Sequence, residues 1–127
     1  MEFIKNYHLI SGKLPSFGEK DLKLVVSVSY YIGYNEHYDE VSFLEVGYIL
    51  ESNIESNRYK LLLKFNEVNS LSLSGFGGAF NQMMGFKIKD MRDHSWENDQ
   101  RYYVHDYEND IMKFYCKSVE VLSIDEL

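Results

Sequence analysis

Apolar and polar residues alternate with a period of two in segment after segment of this chain, and that pattern commits it to strands. Leu22, Leu24, Val26, Val28 and Tyr30 alternate with Lys23, Val25, Ser27, Ser29 and Tyr31, which predicts a strand that buries the first set. Tyr59 to Phe65 repeats the pattern, with Leu61, Leu63 and Phe65 opposite Lys60, Leu62 and Lys64; only Leu62 spoils the polar face. Leu71 and Leu73 alternate with Ser70, Ser72 and Ser74, but the step from Phe65 through Val68 to Leu71 breaks parity, which predicts a bend or bulge near Glu67 to Asn69. Phe86 and Ile88, the aromatic and β-branched run Arg101 to His105, and Met112, Phe114 and Cys116 give three more strands. Parity changes again after Lys117, where Val119 and Val121 become the apolar positions and a final strand starts after a kink. Val41 to Leu50 reads as a strand weakened by Glu45 and Gly47, and Tyr107 to Asp110 reads as a tight turn closing a hairpin from Arg101 to Lys117.

No segment carries a long apolar stripe at helical spacing with caps, so short helices alone are compatible, at Phe80 to Met84 or near the N-terminus. The expected fold is mainly β: a single antiparallel β-sandwich or partly closed barrel with at most short helices. At 127 residues the chain matches one domain that needs no metal or disulfide to hold its core. No apolar run approaches the roughly 18 residues of a spanning helix. Met1 to Ile10 does not read as a signal peptide, so a cytoplasmic location and no membrane partner are expected. Cys116 is the only cysteine, which excludes an internal disulfide and a cysteine-cluster zinc site and suits a small core side chain.

Charge narrows the partners. Twenty acids against thirteen bases give a formal −7, the opposite of what a phosphate backbone requires, so direct nucleic-acid binding is not expected. The charge is also uneven. Between Val25 and Asn57 there is no lysine or arginine, while Glu36, Asp39, Glu40, Glu45, Glu51 and Glu55 share that stretch with Tyr30, Tyr31, Tyr34, Tyr38 and Tyr48. Tyrosine brings large, stiff contact area with a polar tip, and uncompensated carboxylates attract a basic partner, so the pairing suits a recognition surface. Beside it stands the plainer reading, in which the tyrosines fill the core edge and the acids solvate a loop. A second acidic block, Asp90 to Asp110, sets seven acids against Arg92 and Arg101, a net −5, and contains Trp96, the one tryptophan. There Asp93, Glu97 and Asp99 ring an aromatic anchor, unless Trp96 folds back to cap the sheet.

Sites for chemistry are weak. Gly75-Phe-Gly-Gly78 lacks the following helix and the lysine and hydroxyl residue of a phosphate loop, and reads as a turn with Phe76 and Phe80 packed beneath. His8, His37, His94 and His105 do not fall at zinc spacings, and Asp90, Asp93 and His94 spell no calcium loop, so no metal or other cofactor is expected. No serine sits in a nucleophile elbow, and Cys116 lies mid-strand without a histidine beside it in sequence.

Over about half the chain, from Leu61 to Val121, the order Leu-Leu-Leu-Lys-Phe, Ser-Leu-Ser-Leu-Ser-Gly-Phe-Gly-Gly, Asn-Gln-Met-Met-Gly-Phe-Lys-Ile, Trp96, Arg-Tyr-Tyr-Val-His-Asp-Tyr-Glu and Met-Lys-Phe-Tyr-Cys-Lys-Ser-Val-Glu-Val resembles small β-rich immunity proteins of bacterial polymorphic toxin loci. The resemblance lies in strands and the glycine turn and fixes no contact residues. It implies a protein encoded beside a secreted toxin that binds the toxic domain without catalysis, often acidic because the toxin is a basic nuclease. Taken with the charge and aromatic pattern, the expected partner is a cognate, basic toxin. The expected contacts are Tyr34, Glu36, Tyr38, Asp39, Glu40 and Glu45, with Asp93, Trp96, Glu97 and Asp99. Three rivals stand beside this. A small-molecule binder would close a pocket with Tyr30, Tyr48 and Tyr103; a two-carboxylate enzyme would bury one of Asp90, Asp93, Asp106 or Glu108; a homo-oligomer would use the aromatic surface on itself.

Overall fold

The computed structural model describes residues 1–51, 57–78, 81–82, 85–91, 101–108 and 110–127. Among the described residues nine strands follow a short N-terminal segment that holds one helical turn, α1 (His8–Ser11), and a 3-10 turn (Glu19–Asp21). They are β1 (Leu24–Tyr34), β2 (Glu40–Glu51), β3 (Arg58–Asn66), β4 (Asn69–Leu73), β5 (Asn81–Gln82), β6 (Phe86–Asp90), β7 (Tyr102–Asp106), β8 (Met112–Cys116) and β9 (Ser118–Glu126). Among the described residues they form two antiparallel sheets and no closed barrel: β5-β1-β2-β3-β9 and β4-β8-β7-β6. The sandwich expectation holds and the barrel alternative does not.

The apolar seam between the sheets is the one the alternation predicts. From the five-stranded sheet come Leu44, Val46, Tyr48, Leu61, Leu63, Phe65, Val119 and Val121, and from the other Val104, Met112, Phe114 and Cys116, all buried. Phe65 and Phe114 meet edge to face across the seam, with ring centroids 4.9 Å apart. Cys116 is a core residue, and burial pushes its thiol well above the ordinary cysteine range, which leaves it inert as a nucleophile.

Both expected parity breaks are places where the chain changes sheets. Glu67 takes φ 53° between β3 and β4, Ser70 takes φ 55° at the irregularity within β4, and Lys117 carries the chain from β8 back to β9. The two crossings lie side by side. The Lys117 backbone N–H donates to the Asn66 carbonyl at 2.9 Å, and the Lys117 ammonium lies 3.3 Å from the Glu67 carboxylate. The Asn66 amide also donates to Ser118 Oγ at 3.1 Å. At Gly75 (φ 73°) and Gly78 (φ 76°) the glycine run is a turn in the left-handed region that side chains disfavour, with Phe76 packed against the core. Phe80 lies outside the described residues. At Asn81–Gln82 the chain is a strand on β1, not the helix considered for Phe80 to Met84.

The first strand corrects the sequence reading. Val26 and Tyr30, expected inside, are exposed, whereas Val25 is buried. One extra residue sits between Val25 and Ser27, where the pairing with β2 shifts register, and such a bulge exchanges the two faces of a strand. Beyond the bulge, Val28, Tyr30, Ile32 and Tyr34 pair with Val46, Leu44, Ser42 and Glu40 and so share the seam side of the sheet with them. Among the described residues no helix is long and apolar enough to cross a membrane.

If Phe65 and Phe114 hold the layers together, Phe114→Ala lowers unfolding free energy by about 3–5 kcal/mol. Adding Phe65→Ala then costs less than it does alone, because the ring pair is already broken. Urea titrations of the two single variants and the double variant check this.

Candidate functional site

The sheets are unequal in length. At about 3.3 Å per residue, the twelve residues of β2 span about 40 Å, whereas the five of β8 span about 17 Å. Strand β3 stops at Asn66, opposite Phe43, so the far end of the β1–β2 hairpin runs past its neighbours as an arm. The seam side of that arm has too little sheet above it to cover its side chains. Tyr30, Ile32 and Tyr34, which would be core residues further along, are 53%, 58% and 65% exposed.

Between this arm and β4 lies an open groove of about 640 Å³, lined by Tyr30, Ile32, Glu40, Ser42, Val68 and Leu71 among others. Its floor is fixed where the Val68 backbone N–H donates to the Ser42 carbonyl and the Ser42 hydroxyl donates to the Val68 carbonyl. Sequence reasoning placed Tyr30 near a binding surface but missed Ile32 and Leu71. No signal in the sequence says where the covering sheet ends.

At the tip of the arm the chain reverses over Asn35, Glu36, His37 and Tyr38. The Tyr38 N–H donates to the Asn35 carbonyl at 3.0 Å, and the Asn35 N–H donates to the Asp39 carbonyl at 3.0 Å. Asn35 Oδ1 accepts from the backbone N–H groups of His37 and Asp39, an Asx turn that fixes the loop. This closure puts Tyr38 in the left-handed region, at φ 64°, where glycine or asparagine is the ordinary occupant. A tyrosine there costs about 1 kcal/mol or more. Its ring is 87% exposed, so no packing within the described residues offsets that cost.

The expected constellation therefore comes together in part. Tyr34, Glu36, Tyr38, Asp39 and Glu40 converge at the tip, and the Tyr34 hydroxyl lies 3.5 Å from Glu40 Oε1. Glu45 is on the opposite face of the hairpin. There it accepts a 2.6 Å hydrogen bond from the Tyr31 hydroxyl, in a cluster where Tyr31 stacks on Phe43 at 5.3 Å and the Lys64 ammonium sits 4.4 Å from the Phe43 ring centre. Phe43 packs against Gly33, where a Cβ would come 2.9 Å from its ring. Asp93, Trp96, Glu97 and Asp99 lie outside the described residues.

The residues proposed for a small-molecule pocket do not meet. Tyr48 is wholly buried in the seam beside Phe86, Tyr103 stacks between His105 and Tyr115, and Tyr30 faces the groove. Of the carboxylates considered for catalysis, Asp106 is fully buried. Its Oδ1 accepts from the backbone N–H groups of Gly85 and Glu108, which fastens the β7–β8 turn to the start of β6, while its Oδ2 is buried with no hydrogen-bond partner among the described residues. Asp90 lies 3.9 Å from Arg101. Asp93 and His94 lie outside the described residues.

Two outcomes follow from the arm. Tyr38→Gly relieves the left-handed strain and raises unfolding free energy by about 1 kcal/mol in urea titrations. The second concerns Tyr31, whose phenol is pushed up to about 12 by burial first and then by the Glu45 hydrogen bond and charge. The folded state keeps this proton where an unfolded tyrosine, ionising near pH 10, gives it up. The contribution is fully present below about pH 10 and is lost as pH rises through about 12, so Tyr31→Phe flattens the loss of stability over that window.

One comparison with known proteins finds a family. The model of the family described as Immunity protein PIM8 matches residues 22–121, from just after the 3-10 turn through the first half of β9. No curated protein and no solved structure matches the chain. The matched stretch covers more than three quarters of the 127 residues and includes the whole arm. The chain belongs to this immunity protein family.

Proposed function

We propose that this chain is a non-catalytic inhibitor that neutralises a cognate basic toxin by binding it with the β1–β2 arm. The observation that carries the reading is the composition of the hairpin together with the placement of its tip. From Leu24 to Glu51 the β1–β2 hairpin holds no lysine or arginine, and three of its acids, Glu36, Asp39 and Glu40, lie at the tip. It also exposes Tyr30, Ile32, Tyr34 and Tyr38 beyond the edge of the core. Stiff aromatic side chains ringed by charge are the usual make-up of an interface centre, since the rings give up little entropy and the charges orient the partner.

The roles divide by position. Glu36, Asp39 and Glu40 at the tip steer a basic surface into place, and Tyr34 and Tyr38 supply the desolvated contact. Glu45, held by Tyr31 on the other face, contributes to the arm's own stability rather than to the partner. Membership of an immunity family supports the toxin as partner; that the toxin is a basic nuclease of a polymorphic system, and that the pair meets in the cytoplasm, are part of the proposal. A protein of this net charge is a poor ligand for nucleic acid itself.

The test uses the toxin domain encoded beside this chain, co-expressed in a host that it kills. The wild-type chain restores growth, and Tyr38→Gly weakens binding at least tenfold while stabilising the fold, which separates recognition from folding. Reversing Glu36, Asp39 and Glu40 together to lysine slows association at least tenfold at low salt, with a smaller effect at 0.5 M salt. Glu45→Gln leaves association unchanged. Equal association rates for the triple variant and wild type at low salt exclude steering by the tip.

A further inference from the structure

The edges of the two sheets are treated differently. Along the outer edge of β9, Lys5 of the N-terminal segment pairs with Glu120: its N–H donates to the Val119 carbonyl and its carbonyl accepts from Val121. On the outer edge of β6, the Glu19 carboxylate accepts the Ile88 N–H at 2.7 Å. The outer edge of strand β1 is covered by β5 only at Leu24 and Val25, and among the described residues no strand pairs with that edge from Ser27 to Tyr34. That stretch, Ser-Val-Ser-Tyr-Tyr-Ile-Gly-Tyr, contains no lysine, proline or other charge, the devices by which natural edges repel strangers.

The hydrogen-bond phase of this edge can be read from the tip. Asn35 bonds to Asp39, and in an antiparallel ladder bonded and unbonded pairs alternate. Gly33, Tyr31 and Ser29 therefore bond to β2, while Val28, Tyr30, Ile32 and Tyr34 turn their N–H and C=O groups outward. The residues with outward backbone are the same ones whose side chains line the groove side of the arm. A strand laid along β1 would gain a hydrogen-bonded ladder, and its alternate side chains would fall over Tyr30, Ile32 and Tyr34.

We infer that the toxin contributes an extended, lysine- or arginine-bearing segment that adds to β1 as a further strand, extending the five-stranded sheet. This rests on the toxin-binding reading and specifies its mode. Charge selects this occupant over a second copy of the chain, because self-pairing would set two arms side by side, each with Glu36, Asp39 and Glu40 and no lysine or arginine, whereas a basic strand meets complementary charge.

The experiment is amide hydrogen exchange on the full chain, alone and with the toxin domain encoded beside it. Alone, the amides of Ser29, Tyr31 and Gly33 exchange slowly and those of Tyr30, Ile32 and Tyr34 quickly. In the complex the second set slows at least tenfold, which supports strand addition. As a second arm, Ile32→Pro removes an outward N–H and no bond to β2, and it lowers affinity at least a hundredfold while the urea midpoint confirms a folded protein. Tight toxin binding with Tyr30, Ile32 and Tyr34 still exchanging quickly overturns the strand mode and leaves the immunity reading standing. Absence of any binding or protection of cells by the wild-type chain overturns both. Slow exchange at these amides in the chain alone, rising with its concentration and with a doubled mass, shows the edge to be a dimer contact and overturns the inference.

Discussion

Everything distinctive about this molecule follows from where the chain leaves the large sheet. Strand β3 ends at Asn66, and the backbone turns through Glu67 into the second layer. The return crossing at Lys117 lies against it, tied by a backbone hydrogen bond to Asn66 and an ion pair to Glu67. A half-exposed ion pair is worth little by itself. The backbone bond and the Asn66–Ser118 contact make the corner a defined structure, and its position sets the length of the covered seam. Because β1 and β2 continue beyond the level of Asn66, the arm is a geometric consequence of the corner.

The overhang explains why one sequence pattern has two meanings. Alternation tells which residues share a face, and it holds in β3, where Leu61, Leu63 and Phe65 are fully buried, and in β8, where Met112, Phe114 and Cys116 are. The parity breaks near Glu67 and after Lys117 were legible for the same reason, since a chain that changes layers must change which face it buries. In β1 the rule fails twice. Val25 and Val26 are equally apolar, so nothing in the sequence marks which is the extra residue of the bulge. Tyr30 and Ile32 then stand on a core face that has no core above it, because burial there is decided by the length of strands far away in sequence.

The candidate site was legible by composition and blurred by geometry. A stretch without lysine or arginine but rich in tyrosine and acid marks the hairpin correctly, yet composition does not say which way a strand residue points. Glu45 and Tyr31 fall on the outer face and bond to each other, whereas Glu40 and Tyr34, of opposite parity, meet on the groove side. Tyr38 illustrates the limit most sharply. Asn35-Glu-His-Tyr contains none of the glycines that announce a left-handed turn residue, so the conformation of Tyr38 follows from the pairing of Asn35 with Asp39 and not from its own preference.

These features share a direction. A left-handed tyrosine at a hairpin tip, aromatic side chains held off the core and a strand edge without gatekeepers each cost stability or invite aggregation in the free protein. A chain that pairs the β9 edge with Lys5 and caps the β6 edge with Glu19 has the means to close an edge. The liabilities are concentrated on one arm, and the tip of the same arm carries Glu36, Asp39 and Glu40 with no lysine or arginine in the hairpin. In isolation that concentration is unfavourable on every count. Opposite a basic partner each term changes sign: the rings become desolvated contacts, the edge becomes a ladder, and the charge that would repel a second copy draws the toxin in.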